Sequence, residues 1–105
     1  MLNLIALVPT WHHFDIEYRI HSTRRMFERD IIHEDIENLL ANGKIIEHYP
    51  DDHPLPSILL NGYTLSNEPL HAVIAINEPE NKLIIVTAYK PDINKWINNF
   101  SIRKI

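Results

Sequence analysis

Two runs late in the chain, Leu70 to Ile76 and Leu83 to Tyr89, constrain the fold more than any other feature. Both are nearly continuous apolar stretches of strand length, as central strands covered on both faces require. The polar connection Asn77 to Lys82 reads as the hairpin loop between them. Two shorter strand-like segments precede the pair, Lys44 to Tyr49 and Ser57 to Leu60. The turn-rich Pro50-Asp51-Asp52-His53-Pro54 separates those two.

The cover for such a sheet lies upstream. Phe14 to Ile20 alternates Phe14, Ile16, Tyr18 and Ile20 against Asp15, Glu17 and Arg19, the period of a half-buried strand. A first helix is predicted from Ser22 to Arg29, with Ser22 as its cap, broken by Asp30-Ile31. Thr23, Met26 and Phe27 would form its buried side. A second helix is predicted from Glu34 to Ala41, with Ile32, Ile36, Leu39 and Leu40 in one stripe and Asn42-Gly43 as a left-handed stop. Pro91 opens a third, Asp92 to Phe100, with Ile93, Trp96, Ile97 and Phe100 at helical spacing. The order predicts an α+β fold: a helical hairpin and a C-terminal helix packed on a mostly antiparallel, four- to five-stranded sheet. Residues 14–105 form its one domain, and residues 1–13 an N-terminal arm.

Composition narrows the function. A length of 105 residues supports a single core. A net charge of −4 argues against a general nucleic-acid binder, because nonspecific affinity comes from Lys and Arg on phosphates. The charge is uneven, with net basic segments at Arg19 to Arg25 and Lys82 to Lys104, so a local positive patch can exist on an acidic protein. Cysteine is absent, which excludes disulfide and thiolate chemistry. The apolar run Leu2 to Val8 is too short to span a bilayer and lacks a basic flank, so no membrane association is expected and a cytoplasmic location is.

The candidate chemistry sits on two elements. On the first helix His21, Arg25 and Arg29 recur every four residues as a polar stripe. On the late strands, the fully apolar pairs Ile74/Ile76 and Ile84/Val86 are expected to face the helices, which places His71, Thr87 and Tyr89 together on the opposite face. His71 and His21 would then serve as general base and acid, Thr87 and Tyr89 would orient the scissile group, and Arg25, Arg29 and Lys90 would hold phosphate. A histidine in a central strand is also commonly a core residue bonded to its neighbours, and Arg25 and Arg29 can pair with Glu28, Glu34 or Asp35. His48 and His53 flank Asp51 and Asp52, but no spacing matches a zinc signature, so neither a metal nor a cofactor is expected.

The spaced pattern His21, Arg25-Met26, Glu28-Arg29, Ile31, Gly43, Ile46-Glu47, Tyr49-Pro50, Pro54, Pro56-Ser57, Leu70-His71, Thr87, Tyr89, Pro91-Asp92 and Trp96 resembles the small bacterial domain-of-unknown-function family forty-two fifty-eight, from about Tyr18 to Arg103. The element order is also similar to the RelE/ParE toxin fold. Members of the family are often encoded beside a small zinc-finger protein of the antitoxin type. The resemblance therefore implies the toxin half of a toxin–antitoxin pair, a metal-independent endoribonuclease with RNA as substrate and a zinc-finger-type antitoxin as partner. A homodimer is compatible with it. The alternative is a non-catalytic protein-binding module using the polar sheet face or the Tyr49 to Ser57 loop.

Overall fold

A computed structural model describes residues 11–104. Most of the expected N-terminal arm lies outside the described residues; its described end, Trp11–His13, is a short 3₁₀ turn. There follow strand β1 (Asp15–Tyr18), helices α1 (Ile20–Glu28) and α2 (His33–Asn42), and strands β2 (Lys44–Tyr49), β3 (Ser57–Tyr63), β4 (Pro69–Asn77) and β5 (Lys82–Tyr89). The chain ends in two short strands, β6 (Trp96–Ile97) and β7 (Ile102–Arg103). The first five strands form one sheet in the order β1-β5-β4-β3-β2. Short connections make β2 through β5 antiparallel, whereas β1, which returns through both helices, lies parallel to β5.

The helices cover one face. Ile36, Leu39 and Leu40 of α2 and Met26 of α1 pack on Ile58, Leu60, Leu70, Ala72, Ile74, Ile76, Leu83 and Ile85. The expectation that Ile84 and Val86 face the helices is overturned. The register of β4 on β5 passes from Ile74↔Ile85 to Val73↔Thr87, leaving Val86 as an extra residue. That bulge restarts the alternation. Leu83 and Ile85 lie in the core before it, and Ala88 lies there after it. Thr87 and Tyr89, paired with Val73 and His71, then face away from the helices as expected.

The helices differ from expectation in rotation and capping. Arg19, not Ser22, is the N-cap of α1, and the buried Ser22 turns its hydroxyl back onto the Arg19 carbonyl at 2.8 Å. The buried side of α1 is Ser22 and Met26, while Thr23 and Phe27 are exposed. Asp30, at φ 57°, stops the helix, and the Ile31 N–H bonds back to the Met26 carbonyl at 2.9 Å. Ile32 leaves the α2 stripe to become its N-cap, and its N–H donates to the buried Asp35 carboxylate at 3.0 Å. The other Asp35 oxygen accepts from the Leu65 N–H at 2.9 Å, which ties α2 to the β3–β4 loop.

The C-terminal helix does not form. Asn98, Asn99 and Phe100 adopt φ of 52°, 57° and 65°, a left-handed turn that no right-handed helix can contain, and the flanking residues pair as β6 and β7. Of the expected helical stripe only Trp96 is buried, while Ile93 and Ile97 are exposed. Asparagine tolerates that conformation better than most residues, so Asn98-Asn99 supplies a ribbon turn where the apolar spacing imitates a helix.

Candidate functional site

The sheet face turned away from the helices carries the polar residues, in two neighbouring parts. One is an open hollow of about 240 Å³ floored by Val73, Ala75 and Val86. Small side chains on adjoining strands leave it room. Its polar walls are Arg19 and His21 from the start of α1, and Asp52, His53 and Ser57 from the β2–β3 connection. The buried Ser57 hydroxyl donates to the Asp52 carboxylate at 2.6 Å, which holds that loop against the sheet beside His53. Arg19 is exposed and reaches Glu17 only at 3.9 Å, a contact that leaves its guanidinium available to a ligand.

The other part is closed by the β6–β7 ribbon. His71 there is fully buried. Its Nε2 lies 2.8 Å from the Phe100 carbonyl, which can only accept, so Nε2 carries the proton. Nδ1, 3.2 Å from the Tyr89 hydroxyl, then accepts from it in the neutral ring. Trp96 stands edge-on to His71 with ring centres 4.5 Å apart, and the Arg103 guanidinium lies 4.7 Å over the Trp96 ring. Arg103 also donates to Glu47, which accepts a further bond from the Tyr49 hydroxyl.

Burial pushes the His71 pKa below its ordinary value, with the Arg103 charge adding to it and the Phe100 carbonyl and Glu47 opposing. Burial also raises the Tyr89 and Tyr49 hydroxyls, the latter helped by its bond to Glu47. Burial pushes the Glu47 carboxyl upward, but the hydrogen bonds from Arg103 and Tyr49 outweigh it and hold the group below its ordinary value. The same Glu47 bond raises Arg103.

The residues singled out in the sequence are thus divided. His71 and Tyr89 touch, and Thr87 shares their face two residues nearer the bulge on β5. His21 lines the open hollow instead. The remaining helical stripe does not reach either part: Arg25 pairs with Glu28 at 3.5 Å in solvent, and Arg29 turns inward to donate to the Ala88 carbonyl at 2.7 Å. Lys90 pairs with Glu68 at 3.2 Å. His48 and His53 form no metal cage, and no group of three or more potential ligands is assembled among the described residues.

Arg19, His53, Glu47, Tyr49 and Arg103 enter the two parts without having been named for them. Arg19 was legible as the exposed side of an alternating strand and as one end of a basic segment, and His53 as part of a turn-rich loop beside Asp51 and Asp52. The Glu47–Arg103 pair joins residues 56 positions apart and leaves no local signal.

Residues 18–90 match the model of a family described as a domain of unknown function (DUF4258). No curated protein and no solved structure matches the chain.

Proposed function

The chain belongs to the DUF4258 family, and on the geometry of its open hollow we propose that it is a metal-independent endoribonuclease, the toxin half of a bacterial toxin–antitoxin pair acting in the cytoplasm. The observation that carries this reading is the meeting of His21, His53 and Arg19 around one cavity from two separated segments. Two imidazoles and a guanidinium are the minimal equipment for cleaving RNA through its own 2′-hydroxyl. One imidazole removes the 2′ proton as the 2′-oxygen bonds to phosphorus. The other gives a proton to the departing 5′-oxygen as the phosphorus–5′-oxygen bond breaks. Arg19 holds the phosphate oxygens, where negative charge grows in the transition state. The products are a 2′,3′-cyclic phosphate and a 5′-hydroxyl.

This reading moves phosphate binding from Arg25 and Arg29 to Arg19, and pairs His21 with His53. His71 and Tyr89 become the support of the strand that floors the hollow. The α+β sheet with its helical hairpin suits a RelE/ParE type of architecture, which we include in the proposal, together with a zinc-finger-type antitoxin as partner. The test is the purified 105-residue chain incubated with RNA in the presence of a chelator. Cleavage to cyclic-phosphate ends, lost in His21→Ala and in His53→Ala and kept in Arg25→Ala, supports the reading. Intact RNA together with normal growth on induced expression ends it.

A further inference from the structure

On the helical side of the molecule an open groove of about 610 Å³ runs between α1 and the joint leading into α2. Met26 and Ile31 form its floor and Phe27 and Ile32 its walls. Phe27 is 84% exposed and Ile32 54%, large apolar surface that a solitary soluble domain has no reason to display as a neighbouring pair. The volume lies within the range of sites that enclose a ligand.

Among the residues that line it, the formal charge is of one sign. Asp30 lines the groove, and neither Lys nor Arg does. Tyr18, another lining residue, has its hydroxyl pushed up to about 12 by burial and by the charges of Glu37 and Glu34, so those carboxylates act on the groove as well. His33, at the end of the groove, bonds to Tyr18 through Nδ1 and lies 3.6 Å from Glu37 through Nε2. An occupant must therefore bring apolar anchors for Phe27 and Ile32 and positive charge for Asp30, Glu34 and Glu37.

We infer that this groove is the docking site for a cationic amphipathic helix of a partner protein, with its apolar face between Phe27 and Ile32 and its Lys or Arg side chains against the acidic rim. Helices laid in grooves present anchors three and four residues apart, and charge complementarity sets their partner choice. A second copy of this chain fits less well, since its own groove would bring acid to acid. The apolar segment of residues 1–10 contains no Lys or Arg side chain to satisfy the rim. The surface lies on the opposite side of the sheet from the proposed nuclease hollow, so its occupation and RNA cleavage are separately measurable.

The probe is a synthetic amphipathic helix with leucines along one face and lysines along both flanks, titrated into the full chain. A second helix carries glutamates in place of the lysines. The lysine helix is expected to bind roughly tenfold or more tightly than the glutamate helix. Phe27→Asp and Ile32→Asp should each abolish binding although they add negative charge, which separates apolar docking from simple attraction. Glu34→Gln with Glu37→Gln should narrow the gap between the two helices. Because Phe27 is exposed, thermal unfolding of Phe27→Asp should match the parent, while Ile32→Asp, at the N-cap of α2, should stay folded with its midpoint unchanged or raised. Equal binding of both helices, or binding indifferent to Phe27→Asp and Ile32→Asp, overturns the proposal. So does a dimer that Phe27→Asp dissolves, or a groove that takes the helix only after residues 1–10 are removed.

Discussion

Arg103 and Glu47 meet through two hydrogen bonds, Nε to Oε2 at 2.9 Å and Nη2 to Oε1 at 3.2 Å, and so fasten the C-terminal ribbon to β2 at the far edge of the sheet. Between these anchors lie Trp96 and, beneath it, His71. The pair therefore helps to hold the ribbon over this polar cluster, together with the bonds from Asn61 to the Asn99 carbonyl and from His71 to the Phe100 carbonyl.

Arg103→Ala should loosen the ribbon more than it destabilises the fold. The guanidinium is more than half exposed, so the pair contributes at most about 1 kcal/mol to global stability. The local effect is larger, because the guanidinium also covers the Trp96 ring. Fluorescence quenching by iodide should increase in the variant while the urea midpoint moves little. An unchanged quenching profile would mean that Trp96 and the turn at Asn98 hold the ribbon without Arg103.

Acid should weaken the protein through His71. Burial holds its folded pKa below the ordinary 6.5, whereas the unfolded chain titrates at the ordinary value. Between the two, the unfolded chain carries more protons, so lowering the pH favours unfolding. The stability due to neutral His71 is complete above about pH 6.5 and is lost as the pH falls through the depressed value. The slope in that window is at most about 1.4 kcal/mol per pH unit. Urea midpoints measured across it should show the slope in the parent and lack it in His71→Gln.

The sheet was legible in the sequence because its central strands are long apolar runs whose period survives on β4. What was not legible were the events that break a period. The bulge at Val86 reverses which β5 residues face the helices, and nothing in Leu83 to Tyr89 marks it. Asn98 and Asn99 turn an apolar helical spacing into a ribbon, because their tolerance of positive φ outweighs a pattern that only Trp96 fulfils. His71 and Tyr89 were foreseen together, since both lie on the far side of the bulge. The hollow was not, as it is built from an exposed strand end and a loop whose placement depends on the Ser57–Asp52 bond.

The two arginines of the α1 stripe should separate cleanly. Arg29 donates to the Ala88 carbonyl at 2.7 Å beside the core, so Arg29→Ala leaves that acceptor short of a partner and should cost about 1–3 kcal/mol. Arg25 makes only a solvent-exposed contact with Glu28, and Arg25→Ala should change stability by less than about 0.5 kcal/mol. Denaturant titration reads both. RNA cleavage per folded molecule should be unaltered in each, whereas Arg19→Ala should slow it by roughly a hundredfold or more. A selective loss of cleavage in Arg25→Ala would return phosphate binding to the helical stripe.

Gly43 and Gly62 should both resist substitution, for a reason unrelated to turn geometry. Gly43 follows α2 at φ −76° and ψ 173°, which any residue can adopt, so it is not the left-handed stop that Asn42-Gly43 suggests. The constraint is space. A Cβ on Gly43 would lie 2.5 Å from the Leu39 carbonyl oxygen and 2.9 Å from Leu39 Cδ1, and one on Gly62 would lie 2.7 Å from the same Cδ1. Leu39 is fully buried and cannot withdraw without disturbing the core. Crowding a packed interior typically costs about 1–3 kcal/mol, so Gly43→Ala and Gly62→Ala should each destabilise by that amount. Trimming the obstacle gives the decisive comparison. Gly62→Ala placed on a Leu39→Ala background should cost clearly less than on the parent, because the Cδ1 it strikes is gone, while Gly43→Ala should keep most of its penalty against the remaining backbone oxygen. Equal penalties for Gly62→Ala on both backgrounds would show that something other than Leu39 sets the approach of α2 to β3.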